Sequence, residues 1–155
     1  MSLIAAKLAA CGISLPTPTP PLAAYVPYVV AGDMVVISGQ LPMENGAVKY
    51  SGRFAAGDDL TAGIAAARLC AVNILAQLQA ACGGDLDRVA RCVRLGGFVA
   101  STPDFFDHPK IINGASQLML DVFGEAGRHA RAAVGVAALP LNAAVEVEAL
   151  FSLRP

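Results

Sequence analysis

The stretch His129-Ala-Arg-Ala-Ala-Val-Gly-Val-Ala-Ala-Leu-Pro140, followed by Val145-Glu-Val-Glu-Ala-Leu-Phe-Ser-Leu153, decides the fold that we predict. In the second segment an apolar residue at every other position alternates with Glu146 and Glu148, which is typical of a half-buried strand. Pro140 and Asn142 mark a turn between the two segments. The pattern therefore predicts a C-terminal hairpin of strands Arg131–Leu139 and Val145–Leu153.

The two carboxylates of the last strand need an explanation. Glu146 and Glu148 are two residues apart and therefore lie on one face of the strand. On spacing alone, they fit the solvated face of an edge strand better than they fit carboxylates retained for chemistry inside an apolar sheet. The second interpretation nevertheless stays open.

Two long helices are expected before this hairpin. The first runs from Asp58-Asp59 to Ala81 and the second from Lys110 to Phe123, where Gly124 ends it. Ser101 to Asp104 predicts a cap with proline in the first turn. Between the helices, Cys92–Ala100 is expected to form a strand with a bulge at Gly96-Gly97. The expected buried stripes are Ile64, Ala67, Ala71, Ile74, Leu75 and Leu78 in the first helix, and Ile111, Ala115, Leu118, Met119 and Val122 in the second.

An earlier hairpin is predicted from strands Tyr25–Ala31 and Met34–Ser38, joined by the turn Gly32-Asp33. Asn45-Gly46 gives a second turn within Leu41–Tyr50. Gly39 follows the second strand, where it could admit a close ligand or could simply end the strand.

The length of 155 residues predicts a single domain, 1–155. Within it, residues 1–21 hold a short helix over 2–11, capped by Ser2, and a proline-rich connector over 16–21, and residues 22–155 form the core. The order (α)ββαβαββ indicates an α+β fold, with two helices on one face of a mixed sheet.

Composition narrows the function. Thirty alanines, 15% charged residues and a net charge of −1 exclude a disordered chain and make nucleic acid an unlikely partner, because phosphate binding needs clustered cations. They suit an oligomer that covers part of its surface. The longest uninterrupted apolar runs are too short to span a membrane, so no membrane association is expected.

Cysteine and histidine usage points to a cytoplasmic protein without a metal. Four scattered cysteines in a chain with no recognisable export signal predict reduced thiols. Without a Cys-x-x-Cys pair, and with only His108 and His129, a structural zinc site is not expected. His129, near Arg131, is the more interesting histidine, although loop histidines are usually only solvated.

At the C-terminal stretch the sequence resembles the signature of the YjgF/RidA family. These are reactive-intermediate (enamine/imine) deaminases, also labelled L-PSP endoribonucleases. Ser38-Gly-Gln-Leu-Pro42 resembles the family's second-strand motif, and Asn73–Gly83 and Arg91–Val99 match later segments. The resemblance covers about Ala24 to Leu153, and the N-terminal extension is similar to that of the family's longer subgroup.

The resemblance implies a chorismate-mutase-like fold of the Bacillus type, a homotrimer, and a ligand cleft at each subunit interface. It places the carboxylate-binding arginine at Arg131, the water-orienting glutamate at Glu146 and the backbone-contacting glycine at Gly39. The implied ligand is a small carboxylate-bearing metabolite, and the implied chemistry needs no cofactor.

Other substrate-binding positions implied by the resemblance are Ser38 and Ala133. The family's site tyrosine falls on Tyr25 when spacing to the first turn is kept, or on Tyr28 by the local Pro-Tyr-Val match. Ala133 replaces a family cysteine and His129 replaces a family proline, so the substrate is left open.

Three functions follow as alternatives. The first is hydrolysis of 2-enamine or 2-imine acids to 2-oxo acids and ammonia; arginine suits it because its planar guanidinium grips a carboxylate bidentately. The second is a non-catalytic trimer that binds a carboxylate metabolite as a sensor or regulator, and the third, less favoured, is an endoribonuclease. If Leu139 pairs with Ala144, Glu146 lies about 20 Å along the hairpin from Arg131, so that a shared site needs two chains.

Overall fold

A five-stranded mixed sheet organises the chain in the computed structural model, which describes residues 2–18 and 24–155. In chain order the elements are α1 (Leu3–Ala10), β1 (Tyr28–Ala31), β2 (Met34–Gln40), β3 (Met43–Glu44), β4 (Ala47–Val48), α2 (Thr61–Ala81), β5 (Val89–Ala100), α3 (His108–Phe123), β6 (Ala130–Val136) and β7 (Val145–Leu153). Single 3₁₀ turns lie at Leu86–Arg88, Gly124–Gly127 and Pro140–Asn142. The predicted α+β class is confirmed.

The strands are ordered β1-β2-β7-β5-β6, and every neighbouring pair is antiparallel except β5 and β6. Helices α2 and α3 pack on one face, which we call the helix face, and the other is the open face. In β7 the alternation puts Val145, Val147, Ala149, Phe151 and Leu153 into the core. Glu146 and Glu148 share the open face, as predicted, but β7 is a central strand and not an edge.

Helix α2 is long and apolar enough to cross a membrane by length and composition, a property that a comparison of uninterrupted apolar runs misses. Of its most apolar window, 56% is buried inside the fold. Cys70, Ala71, Ile74 and Leu75 are fully buried there. The helix is therefore apolar because it fills the core beneath the sheet.

The predicted C-terminal hairpin is wrong. Strand β6 pairs in parallel with β5, and β7 inserts between β2 and β5, so β6 and β7 do not touch as neighbours. A parallel pair needs a long crossover, and α3 provides it between β5 and β6. The connection from β6 to β7 resembles a hairpin turn in sequence because it is short, but Leu141 and Asn142 both have φ of 57° and turn the chain toward the sheet centre.

Several predicted boundaries also differ. Strand β1 begins at Tyr28 and not Tyr25, because Pro27 lacks an N–H for the strand ladder. Helix α2 begins at Thr61, since the Asp59 carboxylate accepts hydrogen bonds from the Thr61 N–H and hydroxyl just before it. Ile64, predicted to be buried, is 40% exposed.

The glycine pair of β5 is not a bulge. Register is regular from Arg94 to Val99, and the irregularities fall earlier, between Val89 and Arg91 and between Cys92 and Arg94. Gly96 and Gly97 instead allow close packing: a side chain at Gly96 would meet Glu148, and one at Gly97 would meet Ile112 of α3.

Helix α3 begins at His108, with Pro109 in its first turn and Gly124 at its end. The cap predicted at Ser101 to Asp104 is wrong, because Ser101 ends the β5 region and Thr102–Phe105 closes a turn before the helix. The first hairpin turn at Gly32, the Asn45-Gly46 turn and the Ser2 cap of α1 are confirmed. In the proline-rich connector, Pro20 and Pro21 lie outside the described residues.

Candidate functional site

Arg131 lies on the helix face of the edge strand β6, beside Leu95 of β5. Its Nη1 donates to Asn113 Oδ1 at 2.8 Å and to Ser116 Oγ at 3.2 Å, both on α3. Within the described part of the chain, Nη2 and Nε have no recorded partner. The guanidinium is thus fixed through one nitrogen, and the edge formed by Nε and Nη2 can grip a carboxylate bidentately.

The surroundings of Arg131 are open on one side and packed on the other. An open groove of about 650 Å³ runs over α2 and α3 and is lined by Asn113, Ser116 and Gln117, with Arg68 across it. Ala133, two residues after Arg131 and on the same face, is half-buried against the core. Because Nη1 already engages the Asn113 oxygen and the Ser116 hydroxyl, a small ligand at Arg131 would meet the remaining edge of the guanidinium and the Ala133 methyl group.

Glu146 lies on the open face of the sheet and packs onto the backbone of Gly39. A methyl group at Gly39 would overlap the Glu146 carboxylate, so only glycine leaves room for it. Gly39 falls where the register between β2 and β7 shifts, between Ile37 and Gln40. The structure thus brings together two of the residues that the resemblance singled out.

The surroundings of Glu146 shift the pKa of its carboxyl group. Burial first, and then the neighbouring charge of Glu148, raise the pKa of the Glu146 carboxyl above its usual value. Glu148 itself forms an ion pair with Arg94 at 3.2 Å. A carboxyl group whose pKa is raised toward neutrality can both take up and release a proton, as general acid–base chemistry requires.

Ser38 and the two candidate tyrosines lie around the start of β1. The Ser38 hydroxyl donates to Val26 O at 2.7 Å, and its N–H donates to Pro27 O at 2.9 Å. Ser38 therefore holds the segment that precedes β1 instead of pointing a free hydroxyl at a ligand. Tyr28 packs against the core, whereas Tyr25 beside the held segment is 54% exposed. Which of the two tyrosines lines the site stays a prediction.

The predicted site residues form two groups that one chain keeps apart. Arg131 is beside Leu95, while Glu146 is beside Phe98, three residues further along β5 and on the opposite side of it. Two strand spacings and three residues place their Cα atoms ~14 Å apart, with the side chains on opposite faces of the sheet. The register behind the sequence expectation is wrong, but the separation of the two side chains is real.

Two residues that touch Arg131 were missed in the sequence. Asn113 and Ser116 lie three residues apart on α3 and so project from one helix face. The available signal was this pair of polar residues on a helix whose buried stripe is otherwise apolar. Ser116 Oγ is also 2.9 Å from His129 Nε2, so His129 is more than a solvated loop histidine.

A second Ser–His pair lies in a separate cavity of about 310 Å³ near the start of α3. Ser101 Oγ is 3.0 Å from His108 Nε2, and Ser101 is only 6% exposed. Phe105 packs edge-on against the imidazole. This pair ties the start of α3 to the end of β5. Across residues 2–18 and 24–155, no cluster of three His, Cys, Asp or Glu side chains could hold a metal ion.

Comparison with known proteins places this geometry in a family. The protein TCP17 of Trypanosoma cruzi is 50% identical over 97% of this chain and 94% of its own length. The crystal structure of the protein Atu1372 from Agrobacterium tumefaciens is 47% identical, covers 98% of this chain and 93% of its own, and superposes with a TM-score of 0.91. The YjgF gene product of E. coli is 26% identical over 90% of this chain and 94% of its own, with a TM-score of 0.64.

A sequence model of the family described as "YjgF/chorismate mutase-like, putative endoribonuclease" matches residues 5–153. The chain thus belongs to the YjgF family, in the chorismate-mutase-like fold.

Proposed function

We propose that the protein hydrolyses reactive 2-enamine or 2-imine acids to 2-oxo acids and ammonia, in clefts between the subunits of a homotrimer. Arg131 holds the substrate carboxylate and Glu146 of a neighbouring subunit orients the water. The observation that carries the proposal is the arginine, which α3 fixes through Nη1 alone, while its Nε and Nη2 edge has no partner among the described residues. Such an edge matches a carboxylate and stays charged at every physiological pH.

The chemistry needs little beyond positioning. An enamine first becomes the imine by gaining a proton at C3 and losing one from nitrogen. Water adds to C2 of the imine to form a C–O bond, and one of its protons passes to nitrogen to give an amino alcohol. The hydroxyl proton then passes to the amino nitrogen as the C–N bond breaks, which releases ammonia and leaves the 2-oxo acid. Glu146 can take the proton from water and return it to nitrogen, because its raised pKa lies closer to neutrality than that of an ordinary glutamate. The water and the imine carbon are held together by the same cleft, which converts a bimolecular step into a local one.

Assembly is supported by the open face of the sheet. Val29, Val36 and Val134 on this face are 51%, 47% and 45% exposed in the single chain. Leu150 adjoins Val36 and Phe98 adjoins Val134, so that two apolar patches flank the Arg94–Glu148 ion pair on this face. Exposed apolar patches are costly to leave in water, so we infer that other copies of the chain cover them. The same contact would bring the open-face Glu146 of one chain toward the sheet edge of the next.

RNA cleavage, which the family description mentions, is the weaker alternative. The chain has 11 basic and 12 acidic residues, and only three of the basic residues are lysines. Five of the arginines and lysines in the described residues, including Arg68 and Arg94, are already paired with carboxylates on the surface. Phosphate backbones bind to clustered free cations, so the surface favours a small carboxylate.

The test generates 2-imino acids in situ from a panel of L-amino acids with an amino-acid oxidase and follows release of the 2-oxo acid and ammonia. We expect the protein to accelerate release above the spontaneous rate. Arg131→Ala should abolish the acceleration, since loss of one member of a desolvated charge pair costs on the order of 2–5 kcal/mol. Arg131→Lys should restore little, because lysine cannot bind bidentately.

Two other outcomes would redirect the proposal. Carboxylate binding that depends on Arg131 without any acceleration would identify a sensor or regulator. Full acceleration by Arg131→Ala on every imine that the wild type accepts would show that the arginine has no role. A salt-dependent shift of RNA in a gel would revive the nuclease alternative.

A further inference from the structure

We propose that His129 and Ser116 are positioning residues for Arg131, and that a chain of hydrogen bonds from the Gly127 carbonyl through His129 and Ser116 fixes the plane of the guanidinium. This inference rests on the proposed role of Arg131 in holding a carboxylate. It concerns residues that do not themselves touch the substrate. We call the four residues the arginine brace.

The direction of each hydrogen bond in the brace follows from the groups. His129 Nδ1 is 2.6 Å from Gly127 O, and a carbonyl can only accept, so Nδ1 carries a proton. In the neutral ring Nε2 is then an acceptor, and the Ser116 hydroxyl 2.9 Å away donates to it. Because the Ser116 hydroxyl donates its hydrogen to His129, the lone pairs of its oxygen are left to accept the hydrogen bond from Arg131 Nη1 at 3.2 Å.

The brace begins at a fixed point. Gly127 is buried against α3, so closely that a methyl group there would overlap the backbone of Met119. Its carbonyl therefore has a set position relative to the helix that carries Ser116. His129 connects this point to the start of β6, two residues before Arg131. The imidazole thus ties together the turn, the helix and the strand around the guanidinium.

Two anchors on one nitrogen define the orientation of a guanidinium, whereas a single anchor lets it rotate. Asn113 is the first anchor of Nη1 and Ser116 is the second. If His129 did not accept the hydrogen bond from Ser116, the hydroxyl could point its hydrogen atom at Arg131 Nη1. That hydrogen and those of the guanidinium would then repel each other. The edge of Arg131 that we assign to the carboxylate would then lose its fixed direction, and affinity would fall because the orientation has to be restored on binding.

The experiment compares the assembled wild type with four variants of the brace. Ser116→Ala and His129→Phe break it; Ser116→Thr keeps the hydroxyl, and His129→Gln keeps an oxygen that can accept from Ser116. The matched control is His108→Phe, which removes the other Ser–His hydrogen bond, at the start of α3 beside Gly135. The first readout is nitrogen NMR of the guanidinium groups, with the Arg131 signal assigned by Arg131→Ala, and of the His129 ring.

We expect slow rotation of the Arg131 guanidinium and an Nδ1-protonated His129 ring in the wild type. Rotation should become fast in Ser116→Ala and His129→Phe and stay slow in Ser116→Thr, His129→Gln and the control. The second readout is titration with pyruvate, a minimal 2-oxo acid, and turnover of 2-iminopropanoate. Affinity should fall about tenfold in the two breaking variants, as loss of a hydrogen bond to a charged group predicts, with KM raised and kcat nearly unchanged.

The losses of affinity in the two breaking variants should not be additive. The double variant Ser116→Ala/His129→Phe should weaken binding no more than Ser116→Ala alone. Unchanged rotation of Arg131 in both breaking variants would overturn the brace, and so would an equal effect of the His108→Phe control. If rotation responds but no imine is hydrolysed, the brace stands and the proposed function fails. If imines are hydrolysed while substitutions of Ser116 and His129 leave the rotation unchanged, the proposed function stands and the brace fails.

Discussion

Position 39 sets the place of the Glu146 carboxylate. A side chain there would overlap Glu146 Oε1, which is the end of a flexible side chain and can move aside. We therefore expect Gly39→Ala to fold, to displace the carboxylate, and to lose most turnover in the imine assay. The thermal midpoint should fall little, because no backbone atom blocks the added methyl group.

Gly96→Ala is the matched control for this prediction. Its added methyl group would meet Glu148 Oε1 at 2.7 Å, a milder overlap with a carboxylate that we assign no catalytic role. Turnover by Gly96→Ala should stay near that of the wild type. Equal losses in both variants would show that general crowding of the open face, and not the place of Glu146, determines activity.

The pH dependence of turnover should respond to the charge of Glu148, the neighbour of Glu146. Burial and the charge of Glu148 raise the pKa of Glu146, so activity that needs the ionised carboxylate falls, as pH is lowered, earlier than for an ordinary glutamate. Glu148→Gln removes the second cause and should move the acidic limb of the kcat/KM profile to lower pH. Arg94→Gln, which removes the ion-pair partner of Glu148, should move it the opposite way. If neither substitution moves the acidic limb, the limb reflects the ionisation of a group other than Glu146.

Only part of the residue-scale site could be read from the sequence. Arg131, Glu146 and Gly39 stood out through a resemblance, and the structure places Gly39 against Glu146. Ser116 could not be found that way, because its role depends on a helix packing beside an edge strand. His129 was visible as a departure from the family pattern, but its partners lie on α3 and on a turn that spacing does not locate.

At the scale of elements, α1 is fastened to the fold by one carboxylate. Asp87 Oδ1 accepts from the Ile4 N–H at 2.9 Å and Oδ2 accepts from the Leu3 N–H at 3.0 Å, which caps the helix with a residue 83 positions away. The hydrogen bond from Ile4, supported by that from Leu3, lowers the pKa of Asp87. A carboxylate at the N-terminus of a helix also interacts favourably with its dipole.

Asp87→Ala should therefore loosen α1 without unfolding the sheet. Amide hydrogen exchange should speed up across α1 and stay unchanged in β5 and β7. In the wild type the same contribution is complete above the ordinary aspartate pKa and is lost as pH falls through the lowered pKa of the folded state. Asp121→Ala, which removes a surface ion pair with Arg68, is the control and should leave α1 protected. Protection of α1 in Asp87→Ala would show that Ile4 and Leu8, its two buried residues, suffice to hold it.

Element types were largely predictable from periodicity, while strand partners were not. The alternation in Val145–Leu153 predicts a strand whatever lies beside it. Its place between β2 and β5 depends on contacts with residues 34–40 and 89–100, which a short loop after β6 gives no reason to expect. The hairpin prediction failed because it inferred the pairing of two strands from the residues of the turn between them, whereas the pairing depends on strands distant in sequence.

At the scale of the whole molecule, the proposed homotrimer rests on the open face and on the separation of the site residues. A single chain leaves apolar patches of the open face exposed and holds Arg131 and Glu146 on opposite sides of the sheet. We propose that copies arranged around an axis cover these patches and bring the two side chains together from different chains. We expect light scattering at micromolar concentration to give three times 15.8 kDa.

The shared site can be tested by complementation between inactive subunits. Arg131→Ala and Glu146→Gln proteins, each inactive, are mixed in equal amounts, unfolded and reassembled. In a cyclic trimer each cleft takes the arginine from one chain and the glutamate from the next, so about a quarter of the clefts in random mixtures should carry both residues and regain activity. Arg131→Ala mixed with the double variant Arg131→Ala/Glu146→Gln can form no complete cleft and should stay inactive. If mass spectrometry confirms mixed trimers and the first mixture also stays inactive, the two residues do not act in one intersubunit cleft.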